Sequence, residues 1–298
     1  MRRRTAMSRR QWLWGLAFAA PWLIGLVVLE LYPMVMSAYL SLTQYHVFTA
    51  PRWIGLRNYR QLFADPLFWL SLRNTLFMVL VGIPLNLATA FGLANLLNAR
   101  LRGVAVFRTA VYLPTLMPAV AGTLLWMWLL NPVYGLINWL LSTLGLHGPG
   151  WFSSPIWSKP ALIVMGVWGV GAPAIIFLAA LQGVPEVLYE AARIDGAGRW
   201  RRLWHITLPL VSPATLFLVI TGIIGTFQLF TSAYVVTGGT GGQDNSLLFT
   251  VVYLYQLAFT ELRMGYASAL AWILFLVILA VSVLTFRATR RLVYYEGG

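Results

Sequence analysis

The sequence predicts an all-α integral membrane protein of six transmembrane helices, with a helix-kink-helix loop on its cytoplasmic side. Three observations predict it. The 298-residue chain is 59% hydrophobic with only 10% charged residues, and its mean hydropathy is +0.75, too apolar for a water-soluble globule. Six apolar runs, at about residues 12–32, 72–97, 104–130, 160–181, 206–236 and 264–286, each reach the roughly 20 residues that a helix needs to cross a bilayer. If the runs alternate in direction, fifteen of the 21 Lys and Arg residues fall on one side and six on the other. Basic loops stay inside, which assigns both termini and the longest polar loop to the cytoplasm.

Residues 1–11 form a basic tail with Arg2, Arg3, Arg4, Arg9 and Arg10. Ser8-Arg9-Arg10-Gln11-Trp12 has the look of a twin-arginine signal and Ala17-Phe18-Ala19 that of a cleavage site. The apolar run continues well past Ala19, with Pro21 following at once, so a retained first helix is expected instead. Residues 34–73 are mixed, with Tyr and Trp at the edges as at a membrane interface. In the second run Pro84 stands beside Asn86. In the fourth, Pro173 with Gly166, Gly169 and Gly171 beside Trp168 predicts a kink or loosened helix near mid-membrane. The membrane domain is placed at residues 12–290 and a short cytoplasmic tail at 291–298.

The polar loop at 184–208 interrupts the apolar pattern most sharply. Pro185 suits the first position of a helix and Glu186 adds negative charge to its first turn, so a short helix is expected through Tyr189, Ala191 and Ala192 to Asp195. Gly196 is expected to end it, because glycine enters the left-handed region without steric penalty. A second helix is expected over Arg199–Leu208, with Trp200, Leu203 and Trp204 at helical spacing. Small side chains at Ala191 and Ala192 admit a partner surface close to the backbone, and Glu190 and Asp195 offer charges for docking.

Glu190-Ala191-Ala192, Asp195-Gly196-Ala197, Leu208-Pro209-Leu210 and Pro213 resemble the EAA loop of binding-protein-dependent ABC importer permeases. The resemblance implies that this loop is a coupling helix seated in a groove of a cytoplasmic ATPase subunit, through Glu190, Ala191, Ala192, Asp195, Gly196, Ala197, Trp200 and Leu203. Trp53-Ile54-Gly55-Leu56-Arg57-Asn58-Tyr59 with Asp65, Phe68 and Arg73-Asn74-Thr75 is similar to a region of the sugar-type members. Arg102-Gly103, Phe107-Arg108, Tyr112-Leu113-Pro114, Asn131-Pro132 through Gly135 to Asn138, Tyr255, Phe259 and Met264 to Leu270 extend the similarity over nearly the whole chain. Thr237-Gly238-Gly239-Thr240-Gly241-Gly242 departs from the Gly-Gly-Pro that the family usually carries, which leaves the shape of that outer loop open. The resemblance implies a permease for a sugar, oligosaccharide or glycerol phosphate, working with a second homologous permease subunit, two cytoplasmic ATPase subunits and an extracytoplasmic solute-binding protein.

Several chemistries are excluded. There is no cysteine, so disulfides, thiolate metal sites and cysteine nucleophiles are ruled out. The only lysine, Lys159, has no phosphate-cradling glycine frame around it, so no cofactor is expected on this chain and ATP is expected to be used by partner subunits. Glu190 and Asp195 point to different faces of one short helix and make a poor acid/base pair. His46, His147 and His205 fall outside the expected spans, so no metal site is expected. The net charge of +13 follows from arginine in cytoplasmic loops, without a nucleic-acid partner. An ion-coupled secondary transporter is the alternative, yet such proteins commonly carry ionisable groups near mid-membrane, and Glu30 is the sole candidate. A membrane-embedded enzyme would need a polar catalytic cluster that the spans lack.

For the substrate path the candidates are Asn86, Thr226, Gln228 and Thr231, uncharged polar groups suited to sugar hydroxyls, and Trp126 and Trp168, which offer faces for stacking on a sugar ring. Hydrogen bonding from helix to helix accounts for the polar residues equally well.

Overall fold

Helices that are kept whole through proline, and helices that are not, organise this chain. A computed structural model describes residues 9–99 and 103–289. The N-terminal residues before Arg9, Arg100 and Arg102, and the tail at 291–298 therefore lie outside the described residues, and with them much of the basic charge counted above. Among the described residues four helices are long and apolar enough to cross a membrane: α1 (Trp12–Ser41), α3 (Pro66–Leu97), α10 (Arg199–Thr237) and α12 (Met264–Thr289). Two bent pairs pass the same test, α4 (Val104–Leu116) with α5 (Ala119–Leu129), bent by 101°, and α7 (Ser158–Trp168) with α8 (Gly171–Gln182), bent by 50°. Each pair taken as one crossing gives the six expected from the sequence. Shorter helices lie between: α2 (Arg57–Ala64), α6 (Leu136–Thr143), α9 (Glu186–Ile194) and α11 (Thr250–Tyr255).

Proline removes a backbone donor and crowds the carbonyl four residues back. At Pro33, Pro84 and Pro209 the chain answers with a wider π turn just upstream, over Leu26–Leu31, Met78–Gly82 and Leu203–Thr207. Tyr32 N then reaches Val27 O and Leu208 N reaches Leu203 O, five residues back, and the helix continues. The first helix thereby extends to Ser41, beyond the expected end near 32, and the second starts at Pro66 instead of 72. At Pro213 the carbonyl left without its amide partner, Pro209 O, accepts from Ser212 Oγ at 2.6 Å, so α10 also runs on.

The expected third span at 104–130 is not one rod. Pro114 and Pro118 stand four apart, the chain tightens to a 3-10 turn over Leu113–Leu116, and Met117 is forced extended by the proline after it (φ −73°, ψ 132°). In the fourth span the break falls at Gly169 and Val170, as the glycines predict, but Pro173 sits in the first turn of the new helix α8, where its missing N–H has no intrahelical partner to lose. The second half of the polar loop is likewise not a separate helix: Arg199 to Thr207 leads without a break into the fifth span.

The chain divides into two compact units. One holds the residues up to Ala64 together with Leu257–Trp272. Within it α1 ends in a short antiparallel hairpin pairing Thr43 with Trp53 and Gln44 with Arg52. Asn58, buried, donates to Ser41 O at 2.8 Å and Thr43 O at 2.9 Å, and Gly265 packs so closely on the carbonyls of Leu40 and Thr43 that no Cβ would fit. None of the most apolar stretch of α1 is buried by protein. A helix with apolar residues on every side leaves its surface to lipid or to another chain.

The other unit holds Asp65–Gln256 and Ile273–Gly298. Its core packs α3, α8 and α10 through Ala90, Ala94, Ala174, Phe177 and Val211, with Phe91 and Phe177 edge to face at 5.5 Å. Alanines fully removed from the surface let helices approach closely, which is how packing substitutes for the weak hydrophobic drive inside lipid. A second cluster joins Val79 and Ile83 of α3 to Ile223 and Phe227 of α10 and Leu274 of α12. Buried polar groups tie loops to this core. Asn74 donates to Asn245 O at 2.9 Å and Leu248 O at 3.1 Å, Thr75 Oγ1 lies 3.1 Å from Thr250 Oγ1, and Tyr253 OH donates to Asp65. The glycine-rich loop whose shape the sequence left open is fastened by Gln256 Nε2 donating to Gly239 O at 2.6 Å.

Asn74→Ala leaves two carbonyls without their amide donor at a site only 3% exposed. The expected loss is about 1–3 kcal/mol of stability, read as a lower thermal midpoint in detergent; an unchanged midpoint would mean that other donors reach those carbonyls.

Candidate functional site

The polar loop folds as its residues dictate. Pro185 takes the position before the first helical turn (φ −60°, ψ 127°), one residue earlier than expected, and Glu186 opens α9 with its carboxylate near the positive end of the helix dipole. Arg193 in the last turn complements the other end. Gly196 adopts φ +72°, Gly196 N donates to Arg193 O at 3.1 Å, and Ala197 N donates to Ala192 O at 2.8 Å. These are the paired bonds of a Schellman closure, which turns the chain sharply into α10. No atom lies within 4 Å of where a Cβ on Gly196 would stand, so backbone conformation and not space reserves this position for glycine.

Tyr189 OH lies 2.9 Å from Thr207 Oγ1, pinning the middle of α9 to the start of the fifth span. Thr207 is buried there. The opposite side of the loop is open. Glu190, Ala191, Asp195, Gly196 and Trp200 are exposed, while Ala192, Ala197 and Leu203 are half-buried. Five large apolar side chains stand out around them: Val187 at 71% exposure, Leu188, Ile194 at 87%, Trp200 at 75% and Trp204. Exposed apolar patches of this kind are in general where proteins meet other proteins or a membrane. Sequence reasoning named Trp200 and Leu203 but missed Val187 and Ile194. Their signal was present, since both are large and apolar within an otherwise charged stretch.

The residues proposed for a substrate path divide. Asn86 and Thr226 line one pocket of about 320 Å³ together with Gly166, Gly169 and Pro173, where the fourth span breaks. Gly166 makes room for the Asn86 amide, since a Cβ there would lie 3.2 Å from Asn86 Nδ2, and Asn86 Oδ1 is buried with no hydrogen-bond partner. Trp126 and Trp168 stack on each other edge to face at 6.0 Å, and Trp126 Nε1 is likewise buried without a partner. Gln228 caps the long part of α10 and is exposed, and Thr231 starts the final turns of that helix; neither lines the pocket. Glu30 sits in the first π turn, exposed to the surroundings of the chain.

Residues 91–293 match the family model described as the binding-protein-dependent transport system inner membrane component. The chain belongs to that family. It is a permease component of a binding-protein-dependent ABC transport system. It is 38% identical to the probable ABC transporter permease protein YesP of Bacillus subtilis, over 97% of this chain and 94% of that one. It is 35% identical to the lactose transport system permease protein LacF of Rhizobium radiobacter (96% and 97%), and 31% identical to the trehalose/maltose transport system permease protein MalF of Thermococcus litoralis (93% and 93%). A crystal structure of a bacterial ABC transporter involved in the import of the acidic polysaccharide alginate contains a chain with the same fold, at a TM-score of 0.81 and 26% identity, covering 95% of this chain and 96% of that one.

Tyr189→Phe removes the bond to Thr207 and keeps the ring. The loss of about 1 kcal/mol expected for one hydrogen bond should speed amide exchange over residues 186–196 by roughly fivefold, with expression unchanged; exchange at the parent rate would show that packing alone holds α9.

Proposed function

We propose that this permease carries a sugar or oligosaccharide across the cytoplasmic membrane, and that α9 with the start of α10 transmits the work of separate ATPase subunits. The observation that carries the coupling role is the build of the loop: an exposed apolar face, closed by Gly196 and fastened to the fifth span by the Tyr189–Thr207 bond. A push on α9 is delivered to α10 through that bond and through an unbroken helix, since no loop separates Arg199 from the fifth span. Force needs a stiff link. Glu190, Ala191, Ala192, Asp195, Gly196, Ala197, Trp200 and Leu203 form the docking face in this reading, with the loop and both termini in the cytoplasm.

Two cytoplasmic ATPase subunits hydrolyse ATP, a second homologous permease completes the pore, and an extracytoplasmic solute-binding protein delivers the substrate. The lactose and trehalose/maltose assignments of relatives support a carbohydrate. So does the pocket at the broken fourth span, whose Asn86 and Thr226 are uncharged hydrogen-bonding groups. An unsatisfied buried amide oxygen suits a hydroxyl donor. Interrupted helices at a binding pocket also provide the bend that alternating access requires. Trp126, Trp168, Gln228 and Thr231 belong to the wider path in this reading.

Gly196→Val forces a β-branched residue to φ +72° in open space, at a cost of about 1–3 kcal/mol. Sugar uptake by the assembled transporter should drop at least tenfold with membrane insertion intact; normal uptake would exclude the bent geometry as the coupling element. Glu190→Lys reverses a charge on the docking face, and recovery of ATPase subunits with the permease should decrease by roughly tenfold, a change of about 1.4 kcal/mol. Undiminished recovery would remove Glu190 from the interface.

A further inference from the structure

A large cavity of about 740 Å³ opens between the end of α3, the start of α4, the end of α8 and the helix α9. Among the described residues three arginines line it, Arg108, Arg193 and Arg202, against one carboxylate, Glu186. The lining therefore carries excess positive charge. Arg108 uses one terminal nitrogen to cap the end of α3, donating to Leu97 O at 3.2 Å, but its Nε is buried without a partner. Arg202 Nε is buried without a partner as well. Two guanidinium groups that line one cavity with part of their donor capacity unused leave positive charge there that an anion would offset. Planar donor pairs match the oxygens of a phosphate.

A second pocket, of about 530 Å³, adjoins the first and shares Asn95, Tyr189, Arg202 and Thr207 with it. Apart from Arg199, its remaining wall is apolar, formed by Phe91, Gly92, Trp200 and Leu203. A basic chamber beside a largely apolar groove, with four lining residues in common, has the polarity of an amphiphile. Both lie at the end of the spans from which the polar loop emerges, the level at which a bilayer crossed by these spans would place its headgroups.

We infer that this paired cavity binds one anionic phospholipid, with its phosphate held by Arg108 and Arg202 and an acyl chain along Phe91 and Gly92. The apolar annex is what favours a lipid over free phosphate. Tyr189 and Thr207, the pair that pins α9 to α10, belong to both pockets, so a bound lipid supports the underside of the coupling helix while Glu190, Ala191 and most of Trp200 stay open to a protein partner. The site is distinct from the pocket at Asn86 and stands whether or not the substrate is a sugar.

The test places the full-length chain in nanodiscs of phosphatidylcholine with or without phosphatidylglycerol, and counts retained lipid by native mass spectrometry. Phosphatidylglycerol should be retained at least tenfold more strongly than phosphatidylcholine, and the thermal midpoint should rise only when it is present. Arg202→Gln, and separately Arg108→Gln, should each abolish that preference, while Arg193→Gln, at the exposed rim, should weaken it little. Equal retention of the two lipids by the parent chain, full retention by both Arg108→Gln and Arg202→Gln, or the same midpoint shift from inorganic phosphate alone would overturn the assignment. The comparison within the parent chain decides the matter even where a variant fails to fold.

Discussion

Backbone hydrogen bonds that have no water to fall back on govern this molecule. In hydrocarbon every unpaired amide or carbonyl costs several kcal/mol, so a missing N–H inside a span is best answered locally. Three answers occur here. A π turn re-pairs the backbone before Pro33, Pro84 and Pro209, a serine hydroxyl takes the carbonyl that Pro213 leaves free, and at Pro118 the helix gives up and bends through 101°. Proline spacing does not choose among them: Pro213 follows Pro209 by four residues and its helix runs on, whereas Pro118 follows Pro114 by four, after a turn already tightened to 3-10, and the chain bends.

The same constraint shapes the functional regions. The fourth span breaks at glycines, where the backbone turns without crowding a side chain, and the break lies beside Asn86 and Thr226 in a pocket. The polar loop is the reverse case. It is an element with water-facing charge whose apolar side chains nevertheless point outward, and it is tied to the spans by one side-chain hydrogen bond and by helical continuity. An exposed apolar face on an element tied to a span in this way suits the coupling role proposed above.

Buried asparagine and threonine residues in this chain are fasteners first. Asn58 and Asn74 each give both amide protons to backbone carbonyls of distant segments, and Thr75 meets Thr250 across the core. The segments around Asn58 and Arg73-Asn74-Thr75 thus close loops. Asn86 and Arg108 differ because part of their bonding capacity is unused by protein, and this separates candidate ligand sites from structural ones.

The sequence by itself determined the membrane class, the number of crossings when each bent pair counts once, the left-handed glycine that ends α9, and the family, because apolar run length, turn chemistry and the Glu190 to Pro213 spacing are local properties. The break at Gly169 was legible for the same reason. Tertiary structure alone decided that Pro84 and Pro209 leave their helices whole while Pro118 does not, that Tyr189 is fastened to Thr207, that Asn86 and Thr226 share a pocket from which Gln228 and Thr231 are absent, and that Arg108 and Arg202 face one cavity. Each of these depends on which residues from remote parts of the chain become neighbours, and spacing along the sequence carries no record of that.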